Sequence, residues 1–289
     1  MTSRLILGTV QFGLSYGINN RRGQVSAEEV QQILARAHAA GIRTLDTAEA
    51  YGMATARIGE FHQTDAARFD VITKFKSDPN NPYGVDERLR EELRKMHLDR
   101  ATGYLFHSPE AMQSDPKHMR ALVALRKADL IQHIGVSIYT NAQFECAIEH
   151  PEIGIIQLPY NVLDNRSQRG ALIERAKAAG KVIHTRSVFL QGLFFKKPDK
   201  LPQRLLELRP ALVAVRDVAH QYRLTTAQLC LSYALANPLI DGVLIGVDSL
   251  AQLEANLSAV ATDLPTEAAR ALESIAVSNP ALLNPSNWS

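Results

Sequence analysis

SAEEVQQILARAHAAGIRTLDT, residues 26–47, holds the unit on which the fold turns. Ser26 followed three positions later by Glu29 has the form of a capping box, so a helix is expected to start there. Val30, Ile33, Leu34 and Ala37 recur at the helical period and make one apolar stripe, and Gly41 suits a helix stop. Beyond the glycine, Thr44 and Leu45 read as the start of a buried strand, which then meets a carboxylate, Asp46. Tyr51 follows in the loop. An acid at the end of a buried strand costs free energy unless something pairs with it, so a partner is expected nearby.

Working outward, the helix–glycine–strand unit recurs in RGALIERAKAAGKVIHT, residues 169–185, with Gly180 as the stop. VDERLREELRKM, residues 85–96, puts Val85, Leu89, Leu93 and Met96 on one helical face. Strands are expected at 4–9, 44–48, 70–75, 102–107, 133–138, 154–159, 181–186 and 242–247. Most are continuous apolar runs, as in parallel strands covered on both faces. Strands that alternate with helices in this number point to a (β/α)8 TIM barrel. A doubly wound open sheet is the alternative, but Gly8, Gly13 and Gly17 lack the spacing of its phosphate fingerprint. Extra helical patterns lie near 203–222 and 225–237, between strands seven and eight, and near 265–277, after the last barrel helix.

The chain has 289 residues, which suits one barrel domain over 1–289, with 279–289 as a tail that covers the active-site mouth or frays. With 46% hydrophobic and 21% charged residues it can build a large core. The net charge is +2 and basic residues are scattered among acids, which argues against a nucleic-acid or membrane surface. Two isolated cysteines, Cys146 and Cys230, and an apolar start too short for a secretory signal lead to the expectation of a cytoplasmic protein.

In a barrel of this kind the reactive groups gather at the C-terminal ends of the strands. Strand two ends in Asp46 with Tyr51 beyond it, strand three ends near Lys74, and strand four ends in His107. Neighbouring strands lie about 4.8 Å apart, so these four side chains are expected to converge. Asp46 would keep a buried Lys74 charged, and the ammonium would draw Tyr51 below its ordinary pKa of about 10. Such a phenol can protonate a carbonyl oxygen, and His107 can hold that oxygen by a hydrogen bond. Taken singly, the aspartate reads as a cap, the lysine as a solvated group and the histidine as a core residue. Their meeting on consecutive strand ends favours chemistry. The histidines show no metal-ligand spacing, and no metal is expected.

LDTAEAYG (45–52), ITKF (72–75) and LFHSP (105–109) together resemble the aldo-keto reductase family over nearly the whole chain. The resemblance implies that Asp46, Tyr51, Lys74 and His107 are catalytic and that the protein is an NAD(P)H-dependent carbonyl reductase. It also implies a nicotinamide cofactor extended across the barrel mouth. Thr9, Val10 and Asp46 would meet it, and in GVSIYT and IIQLPYN Ser137 and Gln157 would hold its carboxamide. Ile138 stands where the family usually has Asn. In HTRSVFLQG, Arg186 takes the position of a residue, commonly aromatic, that stacks on nicotinamide; Ser187, Leu190 and Gln191 would line the pyrophosphate. VLIGVDSLAQLEANL looks like the adenosine end, with Gly246, Asp248, Ser249, Gln252 and Asn256 as contacts and Ser249 also as a helix cap.

Residues 243–256 contain no Lys or Arg, and Asp248 would repel a 2′-phosphate or accept a bond from a ribose hydroxyl. Lys196, Lys197 or Arg204 would have to supply the missing cation; their ordinary reading is a solvated loop. On this reading NADPH is the expected cofactor and NADH the alternative. A small-molecule carbonyl substrate would meet Phe12, Tyr16 and Tyr139, with Trp288 over the mouth as a further candidate. Two rival functions are a cofactor-sensing regulatory protein with little turnover and a Schiff-base lyase using Lys74.

Overall fold

The structure, a computed structural model, describes residues 2–78, 81 and 83–288. The strands are β1 (Leu5–Gly8), β2 (Thr44–Asp46), β3 (Asp70–Phe75), β4 (Ala101–Phe106), β5 (Ile131–Ser137), β6 (Ile155–Pro159), β7 (Val182–Arg186) and β8 (Gly242–Gly246). They form a closed parallel barrel in chain order, with β1 also pairing β8. This is the (β/α)8 architecture expected from the alternation of strands and helices.

The barrel helices are α1 (Ala27–Ala39), α2 (Ala54–Thr64), α3 (Val85–Met96), α4 (Pro116–Lys127), α5 (Asn141–Glu149) and α6 (Arg166–Ala178). Between β7 and β8 come α7 (Arg209–Gln221) and α8 (Thr226–Ala236), and after β8 come α9 (Leu250–Ala259) and α10 (Thr266–Glu273). The helix expected from 203 is split: residues Gln203–Leu208 form a 3-10 turn and α7 starts at Arg209. Pro210 accounts for the break, since it has no N–H for the carbonyl of Leu206.

Val30, Ile33, Leu34 and Ala37 of α1 are buried as the stripe requires, and Gly41 takes φ +91 beyond its end. The capping box forms only by half. Ser26 Oγ accepts from the Glu29 N–H at 3.2 Å, but the Glu29 carboxylate turns away to Arg22 and to the N–H of Leu250. A guanidinium and the half-buried N–H at the start of α9 stabilise a carboxylate more than the Ser26 amide would.

Two apolar clusters hold the barrel. The larger lies between the strands and the helices. The smaller, Ile72, Leu105 and Ile155 with Val182 against it, fills the barrel interior. Side chains two apart on a strand share a face, so this plug lies one pleat below Lys74, His107, Gln157 and His184. The change from apolar plug to polar layer along the same inner face is what makes the rim a site.

The loop carrying Tyr51 is held close to the turn after β1. A Cβ on Gly13 would lie 1.8 Å from the Tyr51 carbonyl oxygen, so only glycine permits this approach. The tail folds back as 3-10 turns at Pro280–Leu283 and Pro285–Trp288. Trp288 is buried, with its indole N–H donating to the Leu282 carbonyl at 2.8 Å.

Candidate active site

The registers set Asp46 beside Gly8 and Ile72, and Lys74 beside Leu105. Both charged groups are buried, and Lys74 Nζ lies 2.6 Å from Asp46 Oδ1. The ammonium also donates to the Thr47 carbonyl at 2.8 Å. The second oxygen of Asp46 accepts from Gln157 Nε2 at 2.8 Å. β2 and β6 face each other across the barrel, and an eight-stranded barrel is narrow enough for their side chains to meet. Sequence reasoning assigned Gln157 to a cofactor amide and missed this bond. Opposed positions on the second and sixth strands were the available signal.

Tyr51 sits over this pair. Lys74 Nζ is 5.3 Å from the centre of its ring, and the His107 ring meets it edge-on at 5.9 Å. The four candidate catalytic side chains therefore face one cavity, of about 940 Å³, which all of them line. The expected acidification of Tyr51 is not what the structure gives. Burial raises its pKa above the ordinary value, and the Asp46 charge raises it further, against a lowering by Arg186. The ammonium of Lys74 is committed to Asp46, so Tyr51 stays a protonated phenol. Burial lowers the Lys74 pKa, and Asp46 only partly opposes it. His107 is pushed down to about 3, first by burial and then by Lys74, Lys76 and Arg186, so its imidazole is neutral. Its Nδ1 is buried without a hydrogen-bond partner.

Thr9 and Val10 line the cavity next to the β1 end, and Thr9 Oγ1 donates to the Asp46 carbonyl at 3.1 Å. Ser137, Gln157 and Arg186 line its centre. Arg186 is already engaged: its Nε donates to Ser137 Oγ at 3.3 Å and another nitrogen to the Ile138 carbonyl at 2.9 Å. Its guanidinium stacks 4.0 Å from the centre of the Tyr139 ring. The Ile138 side chain lies in the core, so only its backbone serves the site.

The loop after β7 is strained. Ser187, Leu190 and Gln191 take φ of 62, 47 and 53, conformations unusual outside glycine and common at functional loops. Ser187 and Gln191 line the cavity, whereas the Leu190 side chain is turned into the core and does not. Gln191 Nε2 donates to the Tyr16 hydroxyl at 2.8 Å, and the Ile18 N–H donates to the Gln191 carbonyl at 3.1 Å, so the loops after β1 and β7 are strapped together.

Gly246, Asp248, Gln252 and Asn256 line the far end. Ser249 does not: it is the N-cap of α9, accepting from the Gln252 N–H at 3.2 Å. Gln11, which sequence reasoning missed, packs against Gly246, where a Cβ would come within 2.7 Å of its amide nitrogen. Its Oε1 is buried and unpartnered. Lys196, Lys197 and Arg204 are absent from the lining. Arg22 comes to this end instead, donating to the Asp248 carbonyl at 3.2 Å. Of the expected substrate contacts, Tyr16 and Tyr139 line the cavity, while Phe12 and Trp288 are in the core.

A model of the aldo/keto reductase family matches residues 4–277. An uncharacterized oxidoreductase of Mycobacterium tuberculosis is 28% identical, covering 94% of this chain and 91% of the relative. A D-threo-aldose 1-dehydrogenase of a Pseudomonas species is 25% identical, covering 87% and 90%. Among solved structures, the holo form of an aldo-keto reductase from Bacillus halodurans superposes with a TM-score of 0.75 at 21% identity, covering 94% of this chain and 92% of its own. Among the described residues, no helix is long and apolar enough to cross a membrane.

Proposed function

The chain belongs to the aldo/keto reductase family and is an NAD(P)H-dependent oxidoreductase, and on that premise we propose that it reduces an aldehyde or ketone, with Tyr51 as proton donor. The observation that carries this reading is the convergence of a protonated Tyr51, the buried Lys74–Asp46 pair and a neutral His107 on one cavity.

The cavity fits a dinucleotide in its chemistry. His107 and Gln11, which line it, each carry a buried polar atom without a partner, and Ser187, Leu190 and Gln191 take reversed φ values of the kind found in backbone anion nests. When bound, a reduced nicotinamide supplies the hydride. The chain's own residues handle the proton and the position of the substrate. Tyr51 O–H donates to the carbonyl oxygen as it gains charge, and neutral His107 gives a second hydrogen bond to the same oxygen. Lys74, aligned by Asp46, Gln157 and the Thr47 carbonyl, offsets the phenolate that Tyr51 becomes. Tyr16, Tyr139, Phe189 and Phe195 would form the apolar walls of the substrate pocket. The tail adds Asn284 and Ser286 to the rim as a partial cover.

A regulatory role with slow turnover is the second reading, favoured by one observation: Arg186 ties up the Ser137 hydroxyl. The test is single-turnover oxidation of enzyme-bound reduced cofactor on mixing with aliphatic, aromatic and sugar-derived carbonyls; the named activity of the Pseudomonas relative motivates the last group. Oxidation accelerated by at least one class supports the reductase. No acceleration by any class leaves the sensor as the better reading.

A further inference from the structure

Resting on the nicotinamide reading above, we propose that this chain selects NADH over NADPH, and that Glu29 sets the choice. Hydride transfer requires the nicotinamide beside Tyr51, so an extended dinucleotide must put its adenosine ribose toward the opposite end of the cavity. That end is bounded by Gln11, Gly246, Asp248, Gln252 and Asn256, with no Lys or Arg in its lining.

Two groups there would ordinarily welcome a 2′-phosphate, and Glu29 occupies both. The N–H of Leu250, at the start of α9, donates to Glu29 Oε1 at 3.1 Å. Arg22, the cation that reaches this end, holds the same carboxylate through two nitrogens, at 3.1 and 2.8 Å. The anion seat is thus filled by the protein's own carboxylate, and the nearby cation is neutralised. Asp248 is the negative group on the lining itself, of which Glu29 is not part. Gln11, the neutral side chain packed against Gly246, brings no positive charge to this end. A free 2′-hydroxyl can donate to the Asp248 carboxylate here; a 2′-phosphate meets that charge with no Lys or Arg in the lining of this end to offset it.

The test is calorimetric binding of NADH and NADPH to the full chain without substrate. Like charges placed together at a binding site cost enough to make NADH at least about tenfold tighter. Glu29→Gln keeps an acceptor for the Leu250 N–H and releases Arg22 from its counter-charge. It is expected to tighten NADPH about tenfold and to change NADH by less than about twofold. NADPH binding as tightly as NADH in the unmodified protein would overturn the proposal, and that comparison needs no variant to fold. So would Arg22→Ala weakening NADPH about tenfold, since Arg22 would then be a phosphate clamp. Binding of neither cofactor would overturn the functional reading, and this inference with it.

Discussion

The two ends of the cavity are assembled by different rules. At the catalytic end, Asp46 and Lys74 lie on the neighbouring strands β2 and β3, and His107 directly follows β4, so barrel closure alone brings them together. At the far end, Arg22 and Glu29 reach Asp248 and Leu250 from 226 and 221 positions away. The first arrangement is stiff because it is bolted to the sheet. The second depends on loops and a helix start, where a single substitution can change the charge without disturbing the barrel.

The largest effect is expected where the stiff end is broken. Lys74→Met should lower turnover by about a hundredfold or more and cost about 3 kcal/mol of stability, because Asp46 would be left buried without its cation. Denaturant unfolding and single-turnover kinetics measure the two parts. A variant with normal stability would mean that Asp46 is satisfied without Lys74.

Acid should also strike this end. His184, buried in the polar layer, is pushed down to about 4, mainly by burial, against an ordinary 6.5. Between those values the unfolded chain binds the extra proton, so stability falls as pH drops from 6.5 toward 4. His184→Gln should shrink the loss seen between about pH 7 and about pH 4.5 by about 2 kcal/mol. Equal losses in both proteins would show that His184 titrates normally.

Smaller effects sharpen the comparison. Gln157→Leu removes the donor to Asp46 Oδ2 and should slow hydride transfer about tenfold and cost about 2 kcal/mol of stability, because that buried oxygen is left without its donor. Ser249→Ala, at the other end, should cost about 1 kcal/mol as a lost cap and leave cofactor affinity within about twofold. A large affinity loss would make Ser249 a ligand contact after all.

The same contrast explains what could be read from the amino acids. Apolar runs and glycine stops located the strands to within one or two residues, and with them the three strand-end groups. Tyr51 was legible as the polar loop residue after Asp46, but its raised pKa was not, because burial and the Asp46 charge outweigh an ammonium already paired. Gln157 and Asp46 are 111 positions apart and meet through the barrel axis, which no local pattern reveals. Glu29 carried the local signature of a capping box and took a different partner. Leu190 fell within a run of reversed φ values that turns its side chain into the core.

The most direct measurement is hydride transfer in Tyr51→Phe, followed in a single turnover with bound reduced cofactor and a carbonyl the unmodified enzyme reduces. Cofactor affinity should stay within about twofold while the transfer rate falls by about a hundredfold or more. A rate equal to that of the unmodified enzyme would contradict the assignment of the proton to Tyr51.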